Sequence, residues 1–291
     1  PTADGYTVTD NGNGTVTITH SYRIIQNAIQ AGVELIRPEY RASTSQNTVR
    51  LTGLPVDCTI TWTDSEGKHI EYNQSASTYE FASYTDAGTY PLNITITKDY
   101  YTSQTIEDVQ AVVLRQEVSI PEAAAGLQYM PGTTQTGVAE GDLYELEETA
   151  AAENAGSYTA TAVLTDQENY RWEDEGESGD GEVTISWSIA PQRLTRPTLW
   201  GSASYSYTGS YYQGVANTAG SNYSAVYDQA SGRLTVYYVG SNSEYAAQKI
   251  VAYTVTDAVR ANAGTYTPMV DLSTPNFAWS TEGPEGDYTM D

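Results

Sequence analysis

The sequence predicts an all-β protein with an internally recurring design, and three observations carry that prediction. Its 291 residues include 25 Tyr and 24 Gly but only 2 Phe, and Tyr, Thr and Val favour a pleated, half-buried surface over a helix. One turn-and-strand motif recurs three times. After each copy, apolar and polar residues alternate with period two, the pattern of a strand with one covered and one wet face.

In chain order, residues 6–22 alternate around Asn11-Gly12-Asn13-Gly14 and read as a hairpin. Two short stretches, 24–32 and 145–152, are the places where a helix is expected if any forms, although the second has no apolar stripe. Cys58-Thr59-Ile60-Thr61-Trp62 reads as a strand with Cys58 a small buried hydrophobe near a core Trp62. The recurring motif follows, as Asp86-Ala87-Gly88-Thr89-Tyr90, Asn154-Ala155-Gly156-Ser157-Tyr158 and Asn262-Ala263-Gly264-Thr265-Tyr266. Asp or Asn followed by Gly allows a turn with positive φ, and Tyr then opens the strand. Tyr90, Leu92, Ile94 and Ile96 then share a face, as do Tyr158, Ala160, Ala162 and Leu164, and Tyr266, Pro268, Val270 and Leu272.

The second and third copies share more. Asn169-Tyr170-Arg171-Trp172 corresponds to Asn276-Phe277-Ala278-Trp279, and Gln135-Thr136-Gly137-Val138 resembles Gln213-Gly214-Val215. The first copy has neither Trp nor that upstream segment. Val183, Ile185, Trp187 and Ile189 alternate on a strand that closes the middle copy, and Ile120-Pro121 and Ala190-Pro191 read as linkers. The expected division is therefore 1–117, 118–190 and 191–291, the first including the N-terminal hairpin.

A tyrosine opening a late strand after a glycine turn resembles the tyrosine corner of immunoglobulin-type sandwiches. Together with Asn-aromatic-x-Trp and the Trp187 strand, it resembles the bacterial Ig-like repeats of Gram-positive cell-surface and secreted proteins. The resemblance covers residues 120–291 well and 50–115 loosely. It implies tandem Ig-like β-sandwiches that serve as stalks, spacers or adhesive units outside the cell. The third repeat departs from the pattern. Trp172 precedes Val183 by 11 positions, and the same offset from Trp279 reaches Met290. That repeat is expected to lack most of its closing strand, leaving an open edge. The ends at Pro1 and Asp291 show no leader, sorting motif or anchor, as in a mature or excised fragment.

Charge excludes several functions. With 37 acids against 13 bases the net charge is −24, which repels nucleic acid and anionic membranes, and no apolar run is long enough to span a bilayer. One Cys and two His leave little for a disulfide framework, a zinc site or a His-based triad. His69 follows the turn at residues 64–68 and reads as a surface residue. The middle repeat holds 15 of the acids and one base, Arg171. Glu173, Asp174, Glu175, Glu177 and Asp180 crowd its loop after Trp172, a donor set suited to Ca²⁺, although their spacing follows no calcium-loop pattern and a solvated acidic loop is the simpler expectation. Of the three lysines, Lys98 and Lys249 are the ones to inspect for crosslinks to Asn, and no cofactor is expected.

Tyrosine is concentrated in the third repeat, which holds 12 of the 25. Relative to the middle repeat it carries about 31 extra residues, which read as an added hairpin with a turn at 229–232. Tyr205, Tyr207, Tyr211, Tyr212, Tyr237 and Tyr238 are the candidate binding residues, since Tyr offers an apolar face with a polar tip. The expected function is a non-enzymatic spacer or adhesion region of a cell-surface or secreted protein. One alternative is a module that binds glycan or a host or cell-wall protein through the Tyr-rich repeat. The other is an accessory region of a larger cell-wall or polysaccharide-degrading enzyme.

Overall fold

The computed structural model describes residues 6–20, 25–42, 44–64, 79–200, 204–280 and 286–290. The protein is all-β. Among the described residues there is no α-helix, and one 3-10 turn, Ala246–Gln248, is the sole helical element. The chain forms two compact units, Pro1–Val118 with Asp166–Gly179, and Ser119–Thr165 with Asp180–Asp291.

The helix expected over 145–152 does not form. Tyr144–Glu148 is a strand paired antiparallel with Gly156–Leu164. Tyr144 and Leu146 turn to the covered side while Glu145 and Glu147 face solvent, so the period of two overrides the helix propensity of the glutamates. In the other stretch, the described residues contain the strand Asn27–Ala28 and the start of the strand Gly32–Leu35.

In the first unit, one sheet orders Gln104–Val113, Gly88–Thr97 and Thr59–Asp64, and a second orders Gly32–Leu35, Gln46–Thr52 and Tyr79–Tyr84. Val49 and Leu51 of the second sheet share one core with Trp62, Ile94 and Ile96 of the first, the arrangement by which two sheets exclude water from their facing sides. Cys58 packs half-buried against this core, and burial raises its thiol pKa. The N-terminal hairpin pairs Tyr6–Asp10 with Val16–His20 and leaves Val8, Val16 and Ile18 exposed. Its turn is closed by Asp10, whose Oδ1 accepts the Gly12 amide at 2.9 Å. Lys68 and His69 lie outside the described residues.

The second unit contains a three-stranded sheet, Tyr144–Glu148, Gly156–Leu164 and Glu182–Ile189, and a five-stranded sheet. The latter orders Tyr223–Asp228, Arg233–Tyr238, Ile250–Thr256, Met269–Leu272 and Tyr288–Thr289. The extra residues of the third repeat supply its first two strands, joined as a hairpin around Gly232, whose φ of 74° suits glycine. Asp228 closes that turn by accepting the Ala230 amide at 2.9 Å and the Ser231 hydroxyl at 2.6 Å; these bonds lower its carboxyl pKa. Tyr288–Thr289 pairs with Met269 and Val270 as a two-residue start of the closing strand, nine rather than eleven positions after Trp279.

The recurring motif has one physical basis in all three copies. The phenol of Tyr90 donates to Asp86 O at 2.8 Å, that of Tyr158 to Asn154 O at 2.6 Å, and that of Tyr266 to Asn262 O at 2.9 Å. Each ring therefore folds back over the intervening glycine. A methyl group at Gly88, Gly156 or Gly264 would come within 3.3, 3.3 or 3.2 Å of it, a tight contact that the ring would have to yield to, while Gly156 and Gly264 do not take the positive φ expected for this turn. The Asn-aromatic-x-Trp segments also act alike. Tyr170–Trp172 pairs in parallel with Gln116–Val118, and Phe277–Trp279 with Gln192–Leu194. Tyr101–Thr102 pairs in the same way with Asn27–Ala28, so the first copy of the motif is followed by the same parallel element without the Trp.

Candidate functional site

In the third repeat, two short ladders hold the ends of a tyrosine-rich loop. Thr198–Leu199 pairs antiparallel with Val215–Ala216, and Tyr212–Gln213 with Val259–Arg260. The Trp200 amide extends the first ladder by donating to Gly214 O at 2.9 Å. Two of the loop's phenols are tied to main-chain carbonyls. Tyr205 donates to Trp200 O at 2.8 Å and Tyr212 to Ser206 O at 3.1 Å, with Thr208 Oγ1 2.7 Å from the Tyr212 oxygen. The Tyr205 and Tyr212 rings lie 5.0 Å apart at 30°. Such bonds fix the rings before any ligand arrives and reduce the entropy that binding would otherwise cost.

The result is an uncovered aromatic surface. Trp200 is 55 % exposed, Tyr205 47 %, Tyr207 68 % and Tyr211 49 %, and Leu199 beside them is exposed as well. Large apolar side chains left half-exposed within a dozen residues forgo part of the roughly 1.5–3 kcal/mol that full burial of such a side chain supplies, which makes this loop the candidate interaction surface.

The six tyrosines proposed from the sequence separate in the structure. Tyr205, Tyr207, Tyr211 and the half-buried Tyr212 belong to this loop. Tyr237 is half-buried on the strand Arg233–Tyr238, and Tyr238 is a core residue, 7 % exposed, in ring contact with Tyr223, Tyr245 and Phe277. Tyr238 shares the strand phase of the buried Leu234 and Val236, and that alternation was the signal for its burial. Burial pushes the Tyr223 pKa up to about 12 and raises that of Tyr253 as well. Sequence reasoning missed Trp200, which lies next to Leu199 and five residues before Tyr205.

A concave surface lies on the three-stranded sheet Tyr144–Glu148, Gly156–Leu164 and Glu182–Ile189. A shallow groove of about 610 Å³ runs over the Tyr158–Trp187 stack, whose centroids are 4.7 Å apart, and is otherwise lined by Ser and Thr with one carboxylate, Glu148. Trp187 donates its Nε1–H to Thr149 O at 2.8 Å. The groove brings no two carboxylates together.

The acidic loop of the middle repeat belongs to the first unit as far as Gly179, and there it surrounds two guanidinium groups. Arg115, 8 % exposed, donates to the carbonyls of Gln167 at 3.2 Å, Gly176 at 2.9 Å and Gly179 at 3.2 Å. Glu177 accepts the Arg115 amide at 3.3 Å and pairs with Arg171 Nε at 3.1 Å. The Glu175 carboxylate accepts the Trp172 amide at 3.3 Å. In the second unit Asp180 accepts the Glu182 amide at 3.2 Å. Glu173 and Asp174 are exposed. Among the described residues, no three His, Cys, Asp or Glu side chains gather as a metal-holding group. The loop is organised by arginine, chiefly Arg115, which lies 52 to 64 positions before the carbonyls it binds.

Lys98 donates to Val56 O and lies 5.3 Å above the Tyr101 ring, while Lys249 is exposed in a left-handed conformation after the 3-10 turn. No protein-family model matches the chain, and no curated protein matches it at significant similarity.

Proposed function

We propose that this chain is a non-enzymatic adhesion region of a bacterial cell-surface or secreted protein, built of Ig-like β-sandwich repeats. Its contact surface is the loop bearing Trp200, Tyr205, Tyr207 and Tyr211. The observation that carries the reading is the exposure of these rings together with the hydrogen bond that anchors the Tyr205 phenol to Trp200 O, since a plain spacer has no use for either. An exposed aromatic ring can stack on the C–H face of a sugar, and the net charge of −24 disfavours acidic glycans. A neutral polysaccharide is the ligand class that fits.

The test is binding of the full chain to an array of neutral and acidic glycans, followed by titration of any hit. Binding to a neutral glycan that drops more than about tenfold, or 1.4 kcal/mol, in Trp200→Ala/Tyr207→Ala supports the proposal. Undiminished binding by that variant, or binding only to acidic glycans or to protein, overturns it.

A structural spacer is the second reading, and the repeated asparagine contacts between neighbouring repeats favour it. In each, Asn169 or Asn276 of one repeat holds the turn of the repeat before it.

A further inference from the structure

Two of the three recurrent turns are held shut by an asparagine. In the first unit, the Ala87 amide donates to Asn169 Oδ1 at 2.7 Å, and Asn169 Nδ2 lies 3.5 Å from Asp86 Oδ1. Asp166 orients this asparagine by accepting its Nδ2–H at 2.9 Å and its main-chain amide at 3.1 Å. In the second unit the Ala155 amide donates to Asn276 Oδ1, again at 2.7 Å, and Asn276 Nδ2 donates to Asn154 Oδ1 at 2.9 Å. Both asparagines are buried, 7 % and 8 % exposed. Each comes from the repeat that follows the turn in sequence, across 82 and 121 positions.

The third turn, Asn262-Ala263-Gly264, has the same chemistry and the same Tyr266 bond to Asn262 O at 2.9 Å. Asn262, Ala263 and Gly264 are all exposed, and among the described residues nothing accepts the Ala263 amide. At the other end of the series, strand register places Tyr100 where Asn169 and Asn276 stand, one residue before the parallel-paired segment. Tyr100 is 87 % exposed and has no carboxamide with which to make the contact. A second free copy of this chain therefore has no asparagine to offer, because Asn169 and Asn276 are already engaged and Tyr100 cannot substitute.

We infer that the Asn262–Tyr266 turn is a docking surface for the Asn-aromatic-x-Trp segment of a further repeat joined after the third. The incoming asparagine accepts the Ala263 amide and donates to Asn262 Oδ1. This inference does not depend on the aromatic loop or on any glycan.

The experiment extends the full chain with a second copy of residues 187–291 placed directly after Asp291. Val270 opposite Tyr288 matches Ala162 opposite Val183, so position 291 corresponds to Ser186 and the added Trp187 continues the strand in register. Amide hydrogen exchange is read at Ala87, Ala155 and Ala263. In the unextended chain Ala263 exchanges fast while Ala87 and Ala155 are protected. In the extended chain Ala263 slows by at least about tenfold, and Asn276→Ala in the added copy alone restores fast exchange.

Fast exchange at Ala263 in an extended chain whose added repeat is folded overturns the inference, and so does protection that survives that substitution. Should the added copy fail to fold, the unextended chain still decides the underlying contact. Asn276→Ala must deprotect Ala155 and Asn169→Ala must deprotect Ala87, and unchanged exchange at both refutes the clamp.

Discussion

The Trp187 indole lies against the α-carbon of Gly137, so close that a methyl group there would fall 1.9 Å from Cδ2. The same position in the third repeat is Gly214, where an added methyl meets nothing nearer than Ala258 O at 3.8 Å. The difference follows from the closing strand. The middle repeat carries Trp187 on a full strand, whereas the described part of the third repeat's strand is Tyr288–Thr289.

Substituting the two glycines therefore separates packing from backbone freedom. Gly137→Ala forces the indole out of a filled site and should destabilise the fold by about 3 kcal/mol. Gly214→Ala should change stability by less than about 0.5 kcal/mol. Denaturant midpoints of the two variants provide the measurement, and equal losses would refute the account.

Arg115 gives a second prediction. Its guanidinium satisfies three carbonyls of the loop 167–179, and hydrogen bonds to a charged group are stronger than neutral ones. Arg115→Met keeps the aliphatic stem and strands those acceptors. The expected loss is about 2–4 kcal/mol, with faster proteolysis in the loop. A variant as stable and as protease-resistant as the parent would show that water replaces the guanidinium without cost.

Tyr223 and Tyr253 set an alkaline limit. The folded pKa of Tyr223 is raised to about 12 and that of Tyr253 is raised as well, both by burial. The unfolded chain ionises first, near the ordinary value of about 10. Their contribution is thus complete below that pH and is lost as pH climbs toward the folded values, at up to about 1.4 kcal/mol per pH unit for each ring. Denaturation midpoints measured across this range should fall, and Tyr223→Phe should fall less steeply. Tyrosinate absorbance should show these two rings titrating last.

Much of the architecture was readable because it rests on local sterics. Gly two residues before Tyr leaves room for a ring folded back onto its own turn, and the alternation through Leu92, Ile94 and Ile96 displays the covered face directly. The glutamate-rich stretch at 145–148 misled because side-chain propensity was weighed without its partner strand. The aromatic loop was half legible: the tyrosines stood out by number, but exposure depends on what covers them, and nothing local distinguishes Tyr211 from Tyr238 except strand phase. The asparagines were visible as a repeated letter, yet their partners lie 82 and 121 residues away. Arg115 was likewise hidden, since its acceptors are carbonyls that any residue provides.

The contact between Asn276 and the Asn154–Gly156 turn contains no ion. In a polyanion of this size, mutual repulsion of the acidic surfaces rises and falls with the electrolyte around them. A linkage of amides is indifferent to that variation, whereas the loop in which Glu177 sits between two guanidiniums is not. Passing from dilute to concentrated salt, the chain should keep its grip at Ala155 while the acidic loop slackens.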